Sequence, residues 1–291
     1  MNELDLPLAA ASGLLPDWPF YFALNGIAAL LFMGLIWLWS LKRRDVSMVD
    51  AFWAPGFALM AWTSLLLTGV TSPLALLLTG LTSLWAIRLG TYLFSRWRAH
   101  AEEDRRYAAM RRKHGPAFAR VSLLTVFGLQ GALIWLISLP LQLALMSQPA
   151  PPLGLLALAG TLLFLAGFSL EAAADAQLHA FKRDPANEGK VMDRGLWAWS
   201  RHPNYFGNAV LWWGLFVVAA EADAARWAFF APLLMTFLLL RVSGVSLLEK
   251  TIGKRRPAYA EYQRRVNAFV PLPPSWKKRH NDQEPCPGNG R

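Results

Sequence analysis

The chain has 291 residues, of which 55% are hydrophobic, with 14 Trp and a formal net charge of +10. Soluble domains are about 45–50% apolar. The excess here is gathered into blocks of the roughly 20 residues needed to cross a hydrocarbon core, which excludes an ordinary soluble protein. The ten-residue alternation of a membrane β-barrel is missing. The sequence therefore predicts an all-α polytopic membrane protein. Its positive charge is dealt out loop by loop along the helices rather than massed, so no nucleic-acid partner is expected.

In chain order, an acidic opening (Glu3, Asp5, Asp17) leads into a first span at 18–41, read as a retained helix because no basic n-region or cleavage site precedes it. Six more spans are expected at 49–69, 73–95, 122–146, 152–174, 206–220 and 227–248, the sixth being the shortest. Basic residues fill every second loop. Lys42, Arg43 and Arg44 follow the first span, eight Lys and Arg from Arg96 to Arg120 follow the third, Lys182 to Arg201 follow the fifth, and Lys250 to Arg279 follow the seventh. The intervening loops hold only Arg226. Positive-inside logic then puts the N-terminus outside and the C-terminus in the cytoplasm of an inner (plasma) membrane, and requires an odd number of spans. Residues 1–276 read as one integral-membrane domain and 277–291 as a disordered polar tail. Cys286 stands alone, so no disulfide framework forms within the chain. The absence of an internal repeat disfavours a repeat-type transporter.

Ionisable groups within spans usually face a cavity or a partner. Here they are Asp50, Arg88 with Tyr92 a turn later, Glu171 and Asp175 four apart on one face with His179 beyond them, Arg241, and Glu249 at the end of the last span. Each has a purely structural alternative: Arg88 pairing with Glu171, Asp50 as a charge at a helix N-terminus, Glu249 in water. Together they suggest a polar cavity open to the cytoplasm. The loop 175–204 is too polar to insert and rich in aromatics (Trp197, Trp199). It runs into Ser200-Arg201-His202-Pro203-Asn204-Tyr205-Phe206-Gly207, which brings polar groups to the start of an apolar helix. Free N–H groups and the helix dipole at such a start suit an anionic cofactor. The dinucleotide G-x-G-x-x-G and the P-loop are missing, and no His or Cys pair suggests a metal.

The segment from Gly195 to Gly207, followed by Trp212-Trp213-Gly214, resembles the C-terminal signature of membrane steroid 5α-reductases, in particular a largely uncharacterised bacterial branch. Glu171 to Gln177, Leu248-Glu249-Lys250, Pro257 to Tyr262 and Phe269-Val270-Pro271 resemble further segments of that family, as do 47–57 and Arg88 to Tyr92. The resemblance spans 46–274. It implies a seven-helix bundle around NADPH that delivers hydride to the β-carbon of a lipid or steroid-like enone. The family's carbonyl-binding acid and tyrosine fall on Asp50 and Tyr92. Its cofactor positions fall on Glu171, Asp175, Lys182, Asn204, Arg201 and Tyr262, and the motif adds His202 and Tyr205. Three features depart from the pattern. Asn208 follows the signature glycine in place of a Glu, Asp50 is shorter than the usual Glu, and 243–250 lacks the His-rich character of steroid reductases.

Two other functions fit the same features. Isoprenylcysteine and phospholipid methyltransferases share an Arg-His-Pro-x-Tyr motif and bind S-adenosylmethionine at the corresponding place. A non-catalytic lipid-binding protein would keep the fold and bind neither cofactor.

Overall fold

Six apolar stretches of the chain fold as helices long enough to cross a membrane: Trp18–Arg43, Val49–Thr68, Pro73–Ala99, Arg105–Ile137, Leu155–Arg183 and Asp223–Val242. A computed structural model describes residues 13–99, 102–242, 245, 249 and 258–273. Among the described residues there is no β-strand, only two isolated bridges, Leu14 with Ser147 and Ser200 with Asn267. The protein is an all-α, polytopic membrane protein. The expected sixth span is the helix Pro203–Ala219. At 17 residues and 1.5 Å per residue it is about 25 Å long, short of a hydrocarbon core of roughly 30 Å. Residues 1–12, 100, 101, 243, 244, 246–248, 250–257 and 274–291 lie outside the described set, and with them Glu3, Asp5 and the polar tail.

The helices are numbered α1 (Trp18–Arg43), α2 (Val49–Thr68), α3 (Pro73–Ala99), α4 (Arg105–His114), α5 (Phe118–Ser122), α6 (Leu129–Ile137), α7 (Leu139–Leu145), α8 (Leu155–Arg183), α9 (Pro203–Ala219), α10 (Asp223–Arg226), α11 (Phe230–Phe237) and α12 (Ala258–Arg265). A π-helical turn, Leu123–Gly128, joins α5 to α6, so the expected fourth span begins well before residue 122. It breaks at Ser138, where Pro140, lacking an N–H, opens α7. A second π turn, Leu238–Val242, carries Arg241 and follows α11.

The chain divides into two compact units. The first comprises Met1–Thr161 and Leu215–Ala231, the second Leu162–Gly214 and Pro232–Arg291.

In the first unit α2 and α3 pack antiparallel through small residues, as membrane helices do when no hydrophobic force separates protein from lipid. A methyl on Gly90 would sit 3.0 Å from Pro55 Cγ of α2; α2 comes equally close to α6, where a methyl on Gly56 would sit 2.5 Å from Ile134 Cδ1. Neutral polar groups tie α1, α2 and α7 together inside the unit. The buried Asn25 amide donates to Ser64 Oγ (2.8 Å) and Gln142 Oε1 (3.0 Å) and accepts from Thr63 Oγ1 (2.6 Å). Gln142 in turn donates to the Ser138 hydroxyl and the Trp135 carbonyl, both at 2.8 Å. The amide of Gln142 is thereby satisfied where water is not at hand.

In the second unit α8 and α9 cross glycine to glycine. A methyl on Gly167 would lie 2.4 Å from the Leu211 amide nitrogen and 2.6 Å from the Gly207 carbonyl oxygen, and one on Gly207 would lie 2.6 Å from the Glu171 nitrogen. That backbone contact brings the polar residues flanking the glycines face to face.

Candidate functional site

Two polar constellations are built by the fold, one in each unit. In the second unit, Glu171 and Asp175 lie four apart on α8 and are both buried, as their shared face predicts. The α9 crossing supplies an amide to each. Asn204 Nδ2 donates to Asp175 Oδ1 at 3.0 Å, and Asn208 Nδ2 donates to Glu171 Oε1 at 3.1 Å. Asn208, the departure from the reductase signature, thus has a partner here. His179, one turn further, is exposed, as is Lys182 near the end of α8.

The turn ahead of α9 is fixed by the chain's own terminal segment. Arg201 is 8% exposed and His202 5%. The Arg201 guanidinium forks onto Glu249, with Nε to Oε1 at 2.6 Å and Nη2 to Oε2 at 2.9 Å. Its Nη1 donates to the carbonyls of Val266 (2.5 Å) and Gln263 (3.1 Å). Glu249 also lies 3.2 Å from His202 Nε2 and accepts from Gln263 Nε2 (3.1 Å) and the Tyr259 hydroxyl (3.4 Å). Partial burial works to raise the Glu249 carboxyl, but the His202 and Arg201 hydrogen bonds outweigh it and hold the group down at about 2. Tyr262 donates to the Trp197 carbonyl at 2.5 Å, and burial pushes its hydroxyl well up. The Arg201 amide donates to the Asn267 carbonyl (2.8 Å) and the Ser200 hydroxyl to that of Phe269 (2.7 Å). Tyr205 stacks flat on His202, the rings 5.6 Å apart. Arg201 and Tyr262 are therefore held by the protein itself. The open polar edge of this constellation is the half-buried Asn204 and Tyr205.

In the first unit, both Asp50 oxygens have partners. Arg106 Nη2 reaches Oδ2 and the Tyr107 hydroxyl reaches Oδ1, each at 2.9 Å. Asp104 starts α4: its side chain accepts from the Arg106 amide and from Arg106 Nε, both at 2.9 Å, and its own amide donates to Ser47 Oγ at 2.6 Å. Those bonds hold the Asp104 carboxyl below the usual carboxylate range despite partial burial. Tyr92 is half-buried with the Arg96 guanidinium 5.6 Å from its ring. A methyl on Gly90 would lie 3.5 Å from the Ala51 carbonyl, so the α2 backbone next to Asp50 packs against the α3 backbone two residues before Tyr92.

Sequence reasoning missed Arg106 and Tyr107, which reach Asp50 across 56 and 57 residues. The signal within reach was Asp104 as an N-cap, which makes 105–114 a helix and gives Tyr107 a fixed face. Glu249 was recognised as ionisable but not as the partner of Arg201.

With this geometry in hand, comparison with known proteins gives a family. Residues 36–266 match the family described as "Protein of unknown function (DUF1295)". The chain belongs to the DUF1295 family. Both constellations lie within the matched residues, apart from the carbonyls of Asn267 and Phe269. A relative in Schizosaccharomyces pombe, the uncharacterized protein C594.04c, is 24% identical over 278 residues, covering 86% of this chain and 79% of the relative. No solved structure matches.

Proposed function

We propose that this DUF1295 protein is a membrane oxidoreductase that reduces a C=C bond conjugated to a carbonyl in a lipid or steroid-like substrate, with NADPH as reductant. The observation that supports the reading is the pair of carboxylate–amide contacts, Asp175 with Asn204 and Glu171 with Asn208, at the start of α9. Carboxylates accept from ribose hydroxyls and from a carboxamide NH₂, and a free amide oxygen does the same. Lys182 and Arg183, exposed at the end of α8, offer cations for phosphate groups. The donor set thus suits a dinucleotide. Glu171, Asp175, Lys182, Asn204 and Tyr205 would hold it, while Arg201, His202 and Tyr262 act through the turn they fix.

Bound NADPH would supply the hydride. The protein's own task is to stabilise the charge that develops on the substrate oxygen. Because Asp50 accepts from Arg106 and Tyr107, its proposed role is to hold those donors in place. Within the first unit, the proposed donors to the carbonyl oxygen are Arg106 Nη1, which has no hydrogen-bond partner among the described residues, and the hydroxyl of Tyr92, the Tyr107 hydroxyl being committed to Asp50.

Thermal unfolding of detergent-purified protein with NADPH, NADH and S-adenosylmethionine side by side tests the cofactor. NADPH is expected to stabilise most. Asn204→Ala removes the amide proposed to contact the dinucleotide, a hydrogen bond of about 0.5–1.5 kcal/mol, so NADPH affinity should fall roughly two- to tenfold. Stabilisation by S-adenosylmethionine alone would transfer the site to a lipid methyltransferase. Binding of none would favour a non-catalytic lipid-binding protein. Single-turnover oxidation of NADPH with a panel of enone lipids tests the chemistry.

A further inference from the structure

Two basic stretches sixty residues apart in sequence come together in the first unit. The Arg111 guanidinium donates to the Arg44 carbonyl at 3.3 Å, which sets α4 against the turn between α1 and α2. The same side chain lies over the Phe118 ring (4.4 Å) and forks onto Glu103, fixing the helix in place. Lys42, Arg43 and Arg44 at the end of α1 thereby share a corner with Arg105, Arg112 and Lys113 of α4, and all six are exposed.

The acids nearby are turned inward. Asp45 accepts from Trp97 Nε1 (2.6 Å) and the Ser47 amide (2.8 Å), and Glu103 accepts from Arg111 and the Val46 amide (2.9 Å). Asp50 and Asp104 are occupied by Arg106. None of the six cations has a carboxylate within ion-pair distance among the described residues, and the exposed Glu102 is a single counter-charge.

A second observation says what meets this corner. The most exposed apolar surface of α1, including Leu30, Leu31, Leu35 and Leu38, continues through Trp39 and Leu41 directly into Lys42. Such a stripe on a membrane helix faces acyl chains, so the cations that end it stand at headgroup depth. Arg43 stacks over Trp97 (5.7 Å), the side-chain type that sits at this boundary.

We propose that this corner binds the phosphate headgroup of an anionic phospholipid in the leaflet that meets the C-terminal end of α1. Six cations with one counter-charge favour a headgroup of net negative charge over a zwitterionic one, whose ammonium they would repel. The proposal is independent of the reductase reading, since no residue of either constellation is among the six.

The test is binding of phosphatidylglycerol and phosphatidylcholine of matched acyl chains to the full-length protein in detergent, read by native mass spectrometry and thermal shift. Wild-type protein should prefer phosphatidylglycerol, and the preference should shrink as NaCl is raised from 50 to about 300 mM. Lys42→Gln/Arg43→Gln/Arg112→Gln/Lys113→Gln removes four of the six cations and should weaken phosphatidylglycerol binding at least tenfold. Arg264→Gln/Arg265→Gln, which removes two exposed charges elsewhere, should leave it unchanged. Equal binding of the two lipids, a salt-independent preference, or an unaffected quadruple variant overturns the proposal. Millimolar inorganic phosphate that abolishes the preference would also overturn it, by showing a site for soluble phosphate.

Discussion

At the scale of single residues, the most consequential contact is Arg201 with Glu249. The guanidinium is 9% exposed at its side chain and the carboxylate 16%, so each is the other's main compensation for leaving water. Removing one partner of such a pair strands a buried charge and typically destabilises by about 3–5 kcal/mol. Arg201→Ala is therefore expected to lower the melting temperature sharply in detergent, with or without cofactor, and Arg201→Lys to recover only part of it because a fork becomes a point charge. Any loss of cofactor binding in that variant follows from the loss of the turn. Asn204→Ala is the cleaner probe. Glu249 also gives the fold a pH dependence. Its carboxyl is held at about 2 in the folded protein, below its ordinary value of 4.5, so the folded state binds the proton less well than the unfolded chain. This contribution is fully present above about pH 4.5 and is lost as the pH falls through about 2. Melting curves from pH 7 down to about pH 3 should show a decline that Glu249→Gln, already destabilised, lacks.

At the scale of elements, the crossing of α8 over α9 positions the second constellation. Its closeness depends on having no side chain at 167 and 207. Gly167→Ala would press a methyl onto the backbone of Leu211, which cannot give way as a flexible side chain can. The helices must separate, at a loss of about 1–3 kcal/mol, and the Asn204–Asp175 and Asn208–Glu171 contacts lengthen with them. Gly34→Ala is the control, because a methyl there meets nothing within 4 Å. It should be neutral or slightly stabilising through helix propensity. Thermal unfolding of both variants in the same detergent decides the matter. Several element boundaries differ from the sequence reading for local reasons. The fifth span ends in the reading at residue 174, where polarity rises, but α8 continues to Arg183 because nothing between breaks a helix. The fourth stops at Ser138 because Pro140 must begin a new helix.

At the scale of the molecule, α9 decides which side each terminus occupies. If its 17 residues cross, the two ends of the chain lie on opposite faces of the membrane, and if they do not, on the same face. Alternating basic loops predict opposite faces with the C-terminus in the cytoplasm. A reporter fused after Arg291 should be active in the cytoplasm and one placed ahead of Trp18 should report the outside. Activity of both on one side would show that α9 is re-entrant.

The membrane class and the helical architecture follow from the sequence alone. Hydrocarbon tolerates neither unpaired backbone nor free charge, which leaves apolar blocks of this length little choice but to be helices. The shared face of Glu171 and Asp175 is equally local, a matter of 3.6 residues per turn. What the tertiary structure decided is which groups answer those carboxylates. Tyr107 reaches Asp50 across 57 residues and Arg201 reaches Glu249 across 48, while Asn25 and Gln142 meet across 117. No periodicity encodes such pairings. They depend on where loops return each helix end and on how closely glycines let two backbones approach, and both are properties of packing, not of any one segment.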